Sequence, residues 1–470
     1  MKTKKNKHTG LLLLLVVVLS FFDGMGQGKP TDTLSLTEFL GYVKKYHPRM
    51  RQANLEISKA EAGLMIARGA FDPKIEVDFN EKQFKGAEYY SLLNSSFKIP
   101  TWYGIEVKAG FDNSEGMYVN PENTLPNTGL TSLGITVPLG QGLLINQRMA
   151  DLRMARLQIG LGKAAQQLQA VNTLYDASLA YFNWIKAYNE MELYRQYLDF
   201  ANQRYTGIKR SIELGDKRAI DSIEAGIVIK NRKLNLEDAK LKLIKAKLEL
   251  SNFLWIENTP VELQNTLVPE AALDKKIAAV LGVDVLAPAL PEDHPKILSL
   301  QAELDMLKIE RKLTANMLLP KVDIGYHYLS EPAAFDNYRF EDYKVGLNFS
   351  FPIFLRKERG YLQLTKLKIL DTEFELDFQK AALQNKISAG QNEIEALQRQ
   401  MELTNQLVAD YASMLASEER LFSFGESSLF LINARENSLV TSRISQIDLQ
   451  NRYLNANASL MQLLAGIPEI

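Results

Sequence analysis

Ser132-Leu-Gly-Ile-Thr-Val-Pro138 and Gly346-Leu-Asn-Phe-Ser-Phe-Pro352 are two copies of one pattern, an alternating strand that ends at a proline. Each copy is followed by a long stretch of helical composition, from about residue 145 to 214 and from about 356 to 424. At a rise of 1.5 Å per residue, each helix would be about 100 Å long. A single compact domain has no room for helices of this length, so the pattern predicts an elongated molecule.

The segments before these strands are also duplicated. His47-Pro48 and His294-Pro295 each open a segment of helical composition. Each segment reaches a second proline 25 residues after the first, at Pro73 and Pro320, and then becomes an alternating strand. Since proline cannot continue a helix, both segments predict a helix that ends where a strand begins.

The two long stretches end at Gly215 and Gly425, and each is followed by a second helical segment, at about 219–255 and 427–464. Glycine at such a position favours a left-handed helix cap, so each pair of helices is predicted to form a hairpin. Apolar residues in the long stretches are spaced by three and four, which is typical of helices packed side by side over several turns. They are Tyr194, Leu198, Ala201, Tyr205, Ile208 and Ile212 in the first copy, and Leu403, Leu407, Tyr411, Met414 and Leu421 in the second.

The chain therefore divides into four segments. Residues 1–26 have a lysine-rich start and an apolar run, which predict a cleavable secretory signal peptide. Residues 27–255 form the first repeat and residues 294–470 the second. The proline-containing connector 256–293 is interpreted as irregular structure beside the helical body, and a flexible linker is the alternative.

The predicted strands each have one apolar and one polar face. This pattern fits either a soluble sandwich or a membrane barrel with lipid outside and water inside. The signal peptide, the tyrosines near the strand ends and the long helices favour the barrel. The residues predicted to face lipid are Ile75, Val77, Phe79, Leu133, Ile135, Val137, Val322, Ile324, Val345, Leu347 and Phe349.

Four strands cannot close a barrel, because an open edge in hydrocarbon leaves backbone groups without partners. Three chains of four strands would give a closed barrel of twelve. The first repeat also has an insertion at 81–130 that the second lacks. It is either an extra barrel hairpin or a surface extension, and its polar first strand (Asn94, Ser95, Ser96) favours a hairpin that continues beyond the membrane.

Composition excludes several classes of protein. The chain has no cysteine, so disulfides, thiolate metal sites and thiol nucleophiles are excluded. Its formal net charge of -1 does not favour binding to nucleic acid. Its four histidines lack metal-ligand spacing, and no phosphate-binding glycine loop is present. We expect neither an enzyme nor a metal or cofactor site.

These features resemble the outer-membrane efflux protein family of the TolC type. The resemblance rests on the duplication, the proline-ended strands, the glycine turns and the stretch Gly425-Glu-Ser-Ser-Leu-Phe-Leu-Ile-Asn-Ala-Arg435. It implies a homotrimer in the outer membrane of a Gram-negative bacterium, with a twelve-stranded β-barrel in the lipid and a helical tube in the periplasm. It also implies a periplasmic adaptor protein and, through it, an inner-membrane RND, ABC or MFS pump.

The expected fold is thus a membrane β-barrel plus a long α-helical coiled-coil barrel, with an internal duplication and four or more strands per chain. Trimerisation closes the barrel. The expected function is a passive duct that carries small toxic molecules outward in a tripartite efflux system. A duct for type I protein secretion and a structural coiled-coil protein of the cell surface remain the alternatives.

The resemblance also assigns roles to residues near the glycine turns. Leu214-Gly215 and Phe424-Gly425 correspond to the tip that contacts the adaptor, although Asp216 and Glu426 replace the family's usual apolar residue. Asp221 and Glu224 lie three positions apart in a helix and share a face, so a trimer would place them in two rings of carboxylates at a pore constriction. The exposed face of an ordinary solvated helix is the alternative. A basic cluster that includes Arg210 and Arg218 is a further candidate for adaptor contact.

Overall fold

The computed structural model describes residues 33–286, 291–337 and 339–468. The predicted signal peptide, residues 1–26, lies outside the described residues. The helices are α1 (Leu36–Tyr46), α2 (Pro48–Gly69), α3 (Gln147–Glu213), α4 (Ala219–Ser251), α5 (Ile277–Val280), α6 (Val283–Leu286), α7 (Pro295–Asn316), α8 (Arg356–Ser423) and α9 (Leu429–Leu463). The strands are β1 (Thr33–Leu34), β2 (Lys74–Phe84), β3 (Ala87–Pro100), β4 (Glu106–Glu115), β5 (Leu130–Pro138), β6 (Trp255–Ile256), β7 (Thr259–Pro260), β8 (Val268–Pro269), β9 (Lys321–Ser330) and β10 (Tyr343–Ser350).

The predicted duplication is present, because a helix, strands, a long helix and a return helix occur in this order twice, with four strands at that position in the first repeat and two in the second. The predicted helix ends agree with the structure within a few residues. The main sheet has six strands in the order β10-β9-β5-β4-β3-β2, and every neighbouring pair is antiparallel. One chain therefore contributes six adjacent strands, where the expected twelve-stranded barrel assumed four.

The insertion at 81–130 supplies the two additional strands, β3 and β4. They lie between β2 and β5, and both ends of the hairpin are in register with these neighbours: Lys74 pairs with Lys98, and Glu106 pairs with Thr136. Asn94, Ser95 and Ser96 of β3 pair with Asp78, Val77 and Glu76 of β2. Beyond them, β2 and β3 stay paired as far as Phe84 and Ala87, past the last β3–β4 pair at Ser91 and Glu115.

The helices form a layered wall below the sheet. Next to the sheet, α2 packs on α3, α3 on α7, and α7 on α8. Farther away, the hairpin of α3 and α4 packs on the hairpin of α8 and α9 through α3 and α9. Among the described residues, no helix is both long and apolar enough to cross a membrane.

The main hydrophobic core lies midway along the long helices and includes the connector. Leu273, Ile277 and Leu281 of the connector are buried against α1, α3 and α9. The buried Tyr181 hydroxyl donates a hydrogen bond to the Leu34 carbonyl (2.6 Å) and accepts one from the Glu270 amide (3.2 Å). The described part of the connector thus packs on the helical body.

The two predicted apolar stripes differ in burial. Ala201 and Ile208 of α3 are buried, as expected. In α8, however, Leu403 and Leu407 are 60% and 51% exposed, and Leu415 is buried instead. The spacing predicted an apolar face on α8 correctly, but the described residues of the same chain leave most of it exposed.

The two histidines at the start of the repeats cap helices. His47 Nδ1 accepts a hydrogen bond from the Arg49 amide (3.2 Å), and His294 Nδ1 accepts one from the Lys296 amide (3.1 Å). Because Nδ1 is an acceptor, each ring must be neutral, with its proton on Nε2. Burial lowers the pKa of both histidines below the ordinary 6.5, although the hydrogen bond that each ring donates to a backbone carbonyl, of Asn252 or Leu463, opposes this shift.

These caps predict a pH-dependent stability. Since the folded pKa of each histidine is lower than the unfolded one, the folded state binds fewer protons, and the caps stabilise fully only above about pH 6.5. We expect the thermal unfolding midpoint to fall on acidification from pH 7.5 to 5.5 by less in His47→Asn/His294→Asn than in the natural chain. Asparagine retains a neutral acceptor at the cap.

The matched variant His47→Ala/His294→Ala removes the acceptor at every pH. It should cost about 0.5–2 kcal/mol per cap, even at pH 7.5. Circular dichroism of the detergent-solubilised protein measures both effects. Equal acid sensitivity in the natural chain and the asparagine variant would exclude a role for the two caps.

Candidate functional site at the helical tip

The two long hairpins end in turns of the same geometry. Gly215 has φ +84° and Gly425 has φ +80°, the left-handed conformation that glycine adopts without strain. The Gly215 amide donates to the Ile212 carbonyl (3.0 Å), and the next amide donates to Ser211 (2.9 Å). The second turn repeats both bonds, which together form the Schellman motif that ends helices. The predicted left-handed caps are confirmed.

The turns present large apolar side chains to solvent. Leu214 is 71% exposed and Phe424 is 72% exposed, each directly before its glycine. The two turns also contact each other, because the Lys217 ammonium lies 3.8 Å from the centre of the Phe422 ring. The helical tip, meaning residues 210–220 and 420–431, is therefore one surface formed from both repeats.

The predicted constriction residues lie at the start of α4. Asp221 is in the first turn, where a carboxylate interacts favourably with the helix dipole. Glu224 Oε1 accepts a hydrogen bond from Asn433 Nδ2 of α9 (2.9 Å). Both residues are partly buried. Glu224 thus connects the two hairpins, a contact that the sequence did not predict.

The predicted basic cluster is only partly assembled. Arg210 and Arg218 are exposed on either side of the first turn, and Arg218 is the residue before α4. Lys217 is partly covered because it lies over Phe422 of the other hairpin. The cluster is a solvated surface with one lysine fixed between the two turns.

A buried ion network just above the tip was missed from the sequence. Glu436 of α9 is only 1% exposed and accepts hydrogen bonds from Arg204 of α3 (2.6 Å) and Arg232 of α4 (3.1 Å). Arg204 also contacts Glu419 (3.1 Å), and Arg232 contacts Asn437 (2.7 Å). Four helices from both repeats therefore meet at one carboxylate.

The sequence did contain a signal for this network. Glu436 lies four residues after Ile432 and four before Val440, and both of these are buried. A carboxylate in an otherwise apolar helical stripe needs a charged partner, because an unpaired buried charge is costly. The partners could not be identified from spacing, since they are more than 200 residues away in sequence.

All eleven residues predicted to face lipid lie on one face of the sheet. The registers place Ile75 opposite Phe97, Leu133 opposite Tyr328, and Leu347 opposite Ile324. The polar residues between them share the other face. In the described ranges, no group of acidic, histidine or cysteine side chains is arranged to hold a metal ion.

Comparisons with known proteins agree with this fold. Residues 286–466 match the model of a protein family described as Outer membrane efflux protein. Solved structures of similar fold include the CmeC outer membrane channel of Campylobacter jejuni (TM-score 0.63, 13% identity, 92% of this chain and 86% of that chain covered). The open state of the MtrE outer membrane channel of Neisseria gonorrhoeae is also similar (0.64, 14%, 94% and 94%), as is the outer membrane protein VceC of Vibrio cholerae (0.63, 14%, 92% and 96%). No curated protein matches the chain.

The predicted resemblance to the outer-membrane efflux protein family is confirmed for residues 286–466, which include nearly the whole second repeat. The predicted fold class, strands joined to long duplicated helical hairpins, is confirmed by the solved structures. The matched channels are outer-membrane proteins and not enzymes, in agreement with the expected location and the exclusion of an enzyme.

The Glu436 network predicts a local loss of stability on substitution. Glu436→Ala leaves Arg232, which is 7% exposed, as an unpaired buried charge, a change that costs about 3–5 kcal/mol. Hydrogen–deuterium exchange should become at least about tenfold faster in the amides of residues 429–440.

Glu419→Ala is the matched control, because it removes a carboxylate from the same network that is 49% exposed. Its effect should stay within about 1 kcal/mol, as for other surface ion pairs. If both variants exchange at the natural rate, the network does not hold the hairpins together.

Proposed function

We propose that the chain is one subunit of a homotrimeric outer-membrane channel that exports small toxic molecules as part of a tripartite system. The observation that favours this function is that both lateral edges of the chain are open. The sheet ends at β2 on one side and at β10 on the other. A ring of copies joined head to tail pairs every such edge.

The helices support the same assembly. The helices at the two sides of the chain, α4 and α8, each have an apolar stripe that no other helix of the described residues covers. Ile223, Leu234 and Leu241 of α4 are 62%, 69% and 51% exposed, at heptad-compatible spacing. Leu403 and Leu407 of α8 form the corresponding stripe at the other edge. Packing α8 of one subunit against α4 of the next buries both stripes and closes a helical tube.

In this proposal, the tip is the end of the tube that meets the partners. Leu214 and Phe424 are large exposed apolar side chains on a polar surface, which suits insertion into a partner protein. The partner is a periplasmic adaptor that connects the tube to an inner-membrane RND, ABC or MFS pump. Arg210 and Arg218 surround the first turn, where they favour an acidic adaptor surface.

The proposed constriction is formed by Asp221 and Glu224. Three copies of each would give two rings of carboxylates near the open end of the tube, and such rings favour cations over anions. The alternative cargo, a protein exported by type I secretion, uses the same duct. A surface structural protein is disfavoured, because it has no need for a sheet with one apolar and one polar face.

The channel function predicts heat-modifiable trimers from the outer-membrane fraction, with discrete single-channel steps in planar bilayers. Asp221→Ala/Glu224→Ala should keep the trimer, raise the conductance and lower the preference for cations. Glu237→Ala/Asp238→Ala is the matched control, because it removes two exposed carboxylates from the same helix, farther from the tip.

Two results would contradict these proposals separately. Absence of trimers and channel steps would contradict the channel function. Normal steps with the same conductance and ion preference in Asp221→Ala/Glu224→Ala would contradict only the constriction.

If Leu214 and Phe424 contact the adaptor, changing them should abolish binding of the adaptor without changing the conductance of the trimer. Leu214→Ser/Phe424→Ser should leave the purified trimer and its conductance unchanged, since both residues are exposed at the turns. In a deletion strain, the same variant should fail to restore resistance to toxic compounds, whereas the natural chain restores it. Full restoration by the variant would exclude these two side chains as the contact.

A further inference from the structure

The hairpin formed by β3 and β4 lies between β2 and β5, inside the main sheet. We propose that this hairpin is part of the lipid-facing wall, so that the trimer encloses an eighteen-stranded barrel. This inference rests on the proposed function, because it takes the trimer and the membrane location from it. Three copies of the six-stranded sheet give eighteen strands.

The first support is the end of the sheet at which the hairpin turns. Residues 101–105 connect β3 to β4 beside the helices. The Trp102 ring stacks on Phe71, with 5.7 Å between centroids, and the Arg153 guanidinium lies 5.4 Å from the Trp102 ring centre. Asn146, the cap of α3, donates to the Trp102 carbonyl (3.0 Å). A surface extension would have its turn far from the helices, so this hairpin is not one.

The second support is the chemistry of the two faces. The registers place Phe97, Val107 and Ala109 of the hairpin on the apolar face, between Ile75 and Leu133. The opposite face has Ser96, Lys98 and Lys108, and Lys98 forms an ion pair with Glu76 of β2. On the apolar face, one row of paired residues crosses all six strands, as lipid contact requires: Ile75, Phe97, Ala109, Leu133, Tyr328 and Tyr343. The neighbouring row on this face includes Ser95, opposite Val77.

The third support is the order of the strands and their even number in the sheet. Six strands is an even number, so β10 of one subunit would meet β2 of the next in antiparallel orientation, like every other pair in the sheet. In a twelve-stranded barrel, by contrast, β2 would pair directly with β5. In the structure, β3 and β4 separate these two strands completely.

The fourth support is the fit between the sheet and the helices below it. Four helices per chain lie beside the sheet, and at about 8–10 Å between packed axes they span about 32–40 Å of circumference. Strands spaced about 4.8 Å apart and tilted by about 40° give about 38 Å for six strands and about 25 Å for four. Six strands therefore match the width of the helical wall.

Because barrel diameter grows with strand number, the lumen at membrane level would be about half as wide again as in a twelve-stranded barrel. The chain has no cysteine, so single cysteines can be introduced and spin-labelled without background. The test sites on the hairpin are Phe97→Cys and Ser96→Cys in β3, and Val107→Cys and Lys108→Cys in β4. The reference sites are Leu347→Cys and Asn348→Cys in β10.

Trimers in lipid nanodiscs are then probed with molecular oxygen, which partitions into lipid, and with a water-soluble nickel complex. We expect residues 97, 107 and 347 to be severalfold more accessible to oxygen, and residues 96, 108 and 348 to the nickel complex. If only the β10 pair alternates and the hairpin sites are all open to nickel, the hairpin lies outside the wall. The eighteen-stranded barrel is then wrong, while the proposed function stands.

If the β10 pair also lacks an oxygen-accessible side, the chain is not in the membrane, and both proposals fail. Electron cryo-microscopy of the unmodified trimer provides a second measurement that needs no variant. Eighteen strands in cross-section would support the inference, and twelve would overturn it.

Discussion

The open edges of the sheet are the constraint on which the rest of the structure depends. Each chain ends its sheet at β2 and β10, where the outer row of backbone N–H and C=O groups has no neighbouring strand among the described residues. In hydrocarbon, each unpaired group costs several kcal/mol, so the sheet is stable there only when other copies close it. The helices also need neighbouring copies, since α4 and α8 expose apolar stripes at the two sides of the helical wall. On one side the edge strand β10 leads into α8, which has one of the two stripes, and on the other side β2 follows α2.

Much of this architecture could be predicted from local signals. Proline and glycine act over a few residues, so Pro73, Pro320, Gly215 and Gly425 located the helix ends closely. The duplication strengthened each assignment, because prolines at the same spacing and a glycine at the end of the long helix occur in both repeats. Burial was harder to predict. The spacing of Leu403 and Leu407 identified an apolar face, but periodicity does not say whether the same chain or another one covers it.

The place of the extra hairpin in the sheet and the buried network were not predicted for a common reason, which is that both depend on distant partners. Ser95 and Ser96 appear too polar for a membrane strand, yet they lie opposite Val77 and Glu76 in β2, so each belongs to a continuous face. Glu436 appears as one more acid on a solvated helix, yet two arginines of the other repeat surround it. At the tip, Gly215 and Gly425 were found from the sequence, whereas the contact of Glu224 with Asn433 was not, since it joins residues 209 positions apart.

The distribution of packing along the molecule makes the helical tip the part that opens at the lowest free-energy cost. The main core, midway along the tube, includes the connector and large buried side chains such as Trp184 and Phe39. Near the tip, the buried apolar cluster contains only Ile208, Ala225 and Leu429. Regions with few buried contacts open at the lowest free-energy cost, so the hairpins can separate there without disturbing the core. The Glu436 network lies between these two regions. Its charges are satisfied only while both hairpins are together, and it therefore sets how far from the tip such a separation extends.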